Sequence, residues 1–103
     1  MLLVDAQCTI IPGRREDFLY EVHLIIPVVR KEAGCIRYDL VADIANPAMF
    51  HFIEEWESQR HLDEHLTQPH MRDYFAKTSA YHAAPTRLKV YEVSGSQSVT
   101  LGT

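Results

Sequence analysis

The residue types able to move protons or grip a flat ligand gather in one stretch, Glu54-Glu55-Trp56-Glu57-Ser58 followed by His65 and Pro69-His70. An imidazole, with a reference pKa of ~6.5, suits proton transfer at neutral pH, and a neighbouring carboxylate can orient it or stabilise its protonated form. An indole or a phenol adds a broad apolar face with one polar tip. Glu54 and Trp56 share strand parity with Phe50 and Phe52, Tyr38 lies on the neighbouring strand, and His65 falls on the apolar stripe of a helix that would cover them. Together they would make a pocket for a flat, partly polar molecule. The competing reading is a packed core in which Trp56 fills space, Glu54 takes a nearby donor and His65 is simply satisfied.

Other chemistry finds less support. His61-Leu62-Asp63-Glu64-His65 matches the zinc pattern H-x-x-E-H, but the chain beyond it holds only Asp73 and Glu92 as acids, neither on a convincing buried face. No metal is expected, and His61 reads as a solvent-facing helix residue. Cys8 and Cys35 allow at most one disulfide and form no C-x-x-C pair, so both read as small apolar residues. The phosphate-cradling glycine motifs and the G-x-S-x-G elbow are absent, and no cofactor is expected. Ten Lys and Arg against fourteen Asp and Glu give a net charge of −4, the wrong sign for a protein that neutralises phosphates, so nucleic acid is not an expected partner. No apolar run approaches the ~20 residues needed to cross a bilayer, which predicts a cytoplasmic protein without a membrane partner.

These side chains must be positioned by one domain, since 103 residues with 47% hydrophobic and 23% charged content make a single ordinary globular unit. Leu2, Val4, Ala6, Cys8 and Ile10 alternate with polar residues and predict a strand over 2–11. Pro12-Gly13 breaks it, and Phe18, Val22, Ile25 and Val29 line one face of a helix over 14–32, which Pro27 should bend or split. Gly34 suits a left-handed position where a helix ends. A strand over 35–43 follows, with Ile36, Tyr38, Leu40 and Ala42 on one face, then a turn at Asn46-Pro47 and a strand over 49–57. Ser58 is a candidate N-cap for a helix carrying Leu62, His65 and Leu66, and Pro69 opens another reaching about Ala80. At helical spacing Met71, Tyr74 and Phe75 read first as core, and Arg60, Asp63, Glu64 and Arg72 as a solvated face. A last strand over 86–94 precedes a Ser/Gly-rich stretch, which divides the chain into a domain over 1–94 and a mobile tail over 95–103. The order β-α-β-β-α-β predicts an α+β, ferredoxin-like domain with a four-stranded antiparallel sheet. Apolar residues on both sides of the third strand, in so small a domain, predict a homodimer in which a partner covers the second face.

The succession Pro12-Gly13 with Phe18, Glu32-x-Gly34-Cys35-x-x-Tyr38, Asn46-Pro47, Glu54-x-Trp56, His65 and Pro69-His70 resembles the antibiotic biosynthesis monooxygenase domain family, including small quinol monooxygenases, over residues 2–93. The resemblance implies a dimeric α+β barrel with a cavity between sheet and helices. It also implies oxidation of a reduced aromatic substrate by O2 without metal or flavin. Haem-degrading relatives resemble one another in an Asn on the first strand, and Val4-Asp5-Ala6-Gln7-Cys8 has none.

On that footing His65 is the expected base, Glu54 its hydrogen-bond partner, and Trp56 and Tyr38 the groups that stack on a quinol or hydroxylated polyketide. Phe50, Phe52, Leu62, Met71, Tyr74 and Phe75 are expected to bind the substrate, with His70 at the entrance. Two rivals use the same fold. One is a non-catalytic dimeric ligand-binding or stress-response protein. The other is a cofactor-free isomerase of a small phosphorylated signalling molecule, which would need cations in the pocket, and only Arg72 and Arg87 are candidates.

Overall fold

A computed structural model describes residues 1–102. The chain runs β1 (Leu2–Thr9), α1 (Arg15–Val29), β2 (Cys35–Ala42), β3 (Met49–Trp56), α2 (Gln59–Leu66), α3 (Pro69–Thr78), a 3-10 turn (Ser79–Tyr81) and β4 (Arg87–Glu92). The strands form one antiparallel sheet in the order β2-β3-β1-β4, so the ferredoxin-like α+β expectation holds. Thr103, the last residue of the expected tail, lies outside the described residues, and 95–102 carry no regular secondary structure.

Alternation decides what each strand buries. Leu2, Val4, Ala6 and Cys8 of β1 face the helices, opposite Trp56, Glu54, Phe52 and Phe50 of β3, and all eight are buried. The predicted face of α1 packs on them: Phe18, Val22, Ile25 and Val29 are buried. Of the two expected outcomes at Pro27, a split does not occur: α1 runs unbroken through it. It sits on the exposed side, where water can bond the carbonyl that loses its intrahelical donor.

The second strand departs from simple alternation. Cys35 pairs with Trp56 and Arg37 with Glu55, so Ile36 is the extra residue of a bulge and is 52% exposed instead of sharing the face of Tyr38. Cys8 is buried, Cys35 half-buried, and both are free thiols.

Gly34 locks this corner to the helical layer. Its φ of +79° favours glycine, and a Cβ there would lie 2.2 Å from His61 Cγ, so α2 can approach only because the side chain is missing. The Gly34 carbonyl accepts from the Glu57 amide, just before Ser58 caps α2 by accepting from the His61 amide. The polypeptide breaks at Thr67-Gln68, and Pro69 starts α3 as its first helical residue.

The outer face of β3 is mixed rather than apolar: Ile53 and Met49 alternate with Glu55 and with His51, whose Nδ1 lies 2.7 Å from Asp5. Two apolar side chains on the inner face of β4, Leu88 and Val90, are also left 44% and 43% exposed.

Candidate functional site

His65 is held by three neighbours. Its ring stacks on Trp56 with centroids 4.6 Å apart and planes 31° apart, and meets the edge of Tyr38 at 5.5 Å. Its Nδ1 lies 2.9 Å from Glu32 Oε2, and the same oxygen lies 2.8 Å from His70 Nε2. A carboxylate oxygen accepts, so both rings donate to it, and His65 keeps Nε2 as its lone-pair nitrogen, with no protein partner among the described residues. Side-chain exposure rises along this chain from 2% at His65 through 9% at Glu32 to 27% at His70.

The carboxylate on His65 is therefore Glu32, in the turn after α1, and not Glu54 as expected. Glu54 Oε1 accepts from Trp56 Nε1 at 2.9 Å, two residues along the same strand and on the same face. This bond satisfies the buried indole and leaves the acid with a single donor. Burial first, then the Glu32 charge, pushes the Glu54 carboxyl up to about 7 against the opposing bond from Trp56. Burial lowers the pKa of His65 despite the raising influence of Glu32, so the ring is a neutral base at pH 7. The Tyr38 phenol is raised well above its ordinary value, by burial first and then by Glu54, and stays protonated.

Beside these groups lies a small cavity of about 50 Å³, lined by Tyr38, Glu54, His65, Phe52, Met71, Tyr74 and Phe75, with Ala6, Cys8, Leu66, His82, Thr86 and Leu88. Phe75, His82 and Thr86 also line an open trough of about 470 Å³ that runs along the end of α3 toward Pro85. Four of the seven side chains expected to bind substrate, Phe52, Met71, Tyr74 and Phe75, line the cavity. Phe50, Leu62 and His70 do not: Phe50 packs on Phe18 at 5.2 Å, Leu62 is sealed in the core, and His70 is spent on Glu32. Trp56 is wholly buried behind His65 rather than facing it across a hollow, because the two rings are in contact.

The metal-type spacing does not assemble a site. His61 turns to Ser58, with Nδ1 2.8 Å from Oγ, while His65 turns to Glu32, and among the described residues no three His, Cys, Asp or Glu side chains are grouped to hold an ion. No Arg or Lys lines the cavity, and an anionic phosphate there would meet Glu54. The residue sequence reasoning missed is Glu32. It stands 33 positions from His65 in a turn without periodicity, and its signal was its place beside the obligatory Gly34. Cys8, His82 and Thr86 were missed for a similar reason, since β1 and the approach to β4 read as scaffold.

Comparison with known proteins places this arrangement in a family. The model of the family described as antibiotic biosynthesis monooxygenase matches residues 1–77. A relative named probable quinol monooxygenase YgiN, from Escherichia coli (strain K12), is 38% identical over 84 residues, spanning 72% of this chain and 81% of that protein. A crystal structure titled antibiotic biosynthesis monooxygenase superposes with a TM-score of 0.86 at 28% identity, covering 92% of this chain and all of the other. Rv0793 from Mycobacterium tuberculosis gives 0.86 at 26% identity, covering 94% and 98%. With three quarters of its length matched by the family model and its topology shared with solved members, the chain belongs to the antibiotic biosynthesis monooxygenase family.

Proposed function

We propose that this protein oxidises a small reduced aromatic, a quinol or hydroxylated polyketide, with O2 as co-substrate and no cofactor, and that His65 is its base. The observation that carries the reading is the buried imidazole whose Nδ1 is tied to Glu32, whose Nε2 has no protein partner among the described residues, and which lines a cavity with Glu54 and Tyr38. The relative named as a probable quinol monooxygenase supports the substrate class.

His65 Nε2 takes the hydroxyl proton of the quinol. The electron-rich anion passes one electron to O2, and the radical pair recombines as a ring carbon–oxygen bond. The His65 imidazolium returns its proton to the peroxide; His65 then removes the hydrogen of the oxygen-bearing ring carbon as a proton while the O–O bond breaks, one oxygen staying on the ring as a carbonyl and the other leaving as hydroxide that takes up a proton, so that quinol plus O2 gives hydroxyquinone plus water. Glu54, with its carboxyl pushed up to about 7, is protonated often enough at neutral pH to supply a proton to the departing oxygen. Glu32 fixes the tautomer of His65 and favours its protonated form, which passes the ring-carbon proton back to the Glu54 carboxylate and so restores both groups. Tyr38 offers a hydroxyl donor toward developing negative charge.

A homodimer belongs to the same proposal, supported by the exposed Leu88 and Val90 beside the cavity and by the small size of the domain. Light scattering should give twice the 11.9 kDa chain mass. The catalytic test is O2 uptake with a panel of dihydroxynaphthalenes. Wild-type protein should exceed the spontaneous rate and His65→Ala should not, with the two running alike in size-exclusion chromatography. Equal rates with and without protein would favour the non-catalytic ligand-binding alternative.

A further inference from the structure

Glu32 is the acceptor that His65 and His70 share, and both N–H groups fall on Oε2, at 2.9 and 2.8 Å, rather than one on each carboxylate oxygen. Among the described residues the Glu32 side chain, 9% exposed, pairs with these two imidazoles and with no Lys or Arg, whereas Asp39 on the surface holds both Arg30 and Arg37. The two rings meet on one oxygen because the helical layer is interrupted between them. Residues five apart on an unbroken helix would point about 140° away from each other. The break at Thr67-Gln68, with Pro69 starting α3, lets His70 reach the acceptor that His65 already uses. His70 does not line the cavity and instead borders a groove between α1 and α3, with Glu21, Asp73 and Lys77.

A carboxylate withdrawn from water has to be stabilised by hydrogen bonds or by a cation. With His65 as its one donor, Glu32 would draw a proton onto that ring and rest as an ion pair with an imidazolium, which cannot act as a base. A second neutral donor stabilises the anion without a cation and divides the accepting capacity of Oε2. We infer that His70 is a positioning residue for the base, acting through Glu32: its N–H holds the shared oxygen and tempers the pull of the carboxylate on His65, so that His65 rests neutral with Nε2 free to accept a proton. This deepens the proposed function and rests on its assignment of His65 as the base. The influences on His65 have the signs such a division requires: burial first lowers its pKa, Glu32 raises it, and His70 lowers it. Other titratable groups border the three residues. Glu21 of α1 and Asp73 and Lys77 of α3 flank His70, His61 and Glu64 of α2 flank Glu32 with Cys35 of β2 near its charge, and Tyr38 of β2 and Glu54 of β3 share the cavity with His65. All of them stay the same when His70 alone is changed, so a difference between variants reports on the shared hydrogen bond.

The test reads the histidine ring nitrogens of the full chain by long-range ¹H–¹⁵N correlation through a pH titration, with no ligand present, in wild type, His70→Leu and His70→Gln. Leucine fills similar space without a donor, and the glutamine amide restores a donor without an ionisable ring. The titration midpoint of His65 should move upward in His70→Leu and return toward wild type in His70→Gln. A midpoint that stays put or moves down in His70→Leu, or that moves as far in His70→Gln, would overturn the role. Wild type alone gives a second check that needs no variant to fold: neutral His70 should carry its proton on Nε2, and the Nδ1 tautomer would overturn the role because Nε2 could not then donate. O2 uptake with a quinol is measured separately, and the acid limb of its pH profile should move to higher pH in His70→Leu. A midpoint that moves as expected in a protein that turns over no quinol would sink the proposed reaction and keep the tempering of His65, and quinol turnover with an unmoved midpoint would do the reverse.

Discussion

The two ends of the cavity are built on opposite terms. At the His65 end a stacked indole and a carboxylate shared with a second imidazole hold the ring, pairing its Nδ1 and leaving its Nε2 without a protein partner among the described residues. At the Tyr74 end, among the described residues, His82 Nδ1 has no hydrogen-bond partner and the Tyr74 hydroxyl has none of good geometry, with the Thr78 side chain its polar neighbour. The first arrangement fixes a group in one orientation before any ligand arrives, which is what proton transfer needs. The second leaves polar groups short of partners, which costs stability. One end is held in a single arrangement and the other is not.

The sharpest way to break that contrast is at the base. His65→Ala should cut turnover of a quinol by roughly 10²–10⁴-fold, the range for a general base, as read by O2 consumption. Glu32→Gln comes next. It keeps the shape but removes the charge that raises the His65 pKa, so the acid limb of the rate profile should move to lower pH and the plateau should drop as the imidazole becomes a weaker base. An unshifted profile would show that Glu32 does not act through His65.

Glu54 makes a stability prediction with a definite sign. Below pH 4.5 the carboxyl is protonated in both folded and unfolded chains and imposes no penalty. As pH rises toward 7 the unfolded chain ionises freely while the folded chain resists, so stability falls across that window by on the order of 3 kcal/mol. Glu54→Gln should melt like wild type at pH 4 and higher than wild type at pH 8. At the corner that seats α2, Gly34→Ala should cost ~1–2 kcal/mol from the left-handed backbone alone and more from the displacement of His61, measurable by urea denaturation.

The scaffold was legible because it is periodic. Alternation in β1 and β3 and the four-three-four spacing in α1 each repeat a burial signal several times, and the structure buries those residues as read. Ile36 failed where a bulge inserted one residue and broke the parity. The candidate site was legible only in part. Trp56, Glu54 and His65 sit on periodic elements and do come together, but their hydrogen bonds depend on which acid arrives from elsewhere. Glu32 sits in a turn, marked only by its nearness to Gly34, and His82 in an irregular segment, so neither carried a periodic burial signal that set it apart from solvated polar residues. Glu54 and Trp56 were assigned to the right face, but their spacing of two along one strand made them partners of each other before either could serve His65.

The central claim is that His65 rests neutral, protonated on Nδ1 toward Glu32, with Nε2 open to the cavity. Long-range ¹H–¹⁵N correlation of the histidine rings at pH 7, assigned with His65→Ala, reads this directly. The account predicts a pyridine-type Nε2 and a protonated Nδ1 for His65, titrating below pH 6.5. An imidazolium at pH 7, or the opposite tautomer, would contradict it.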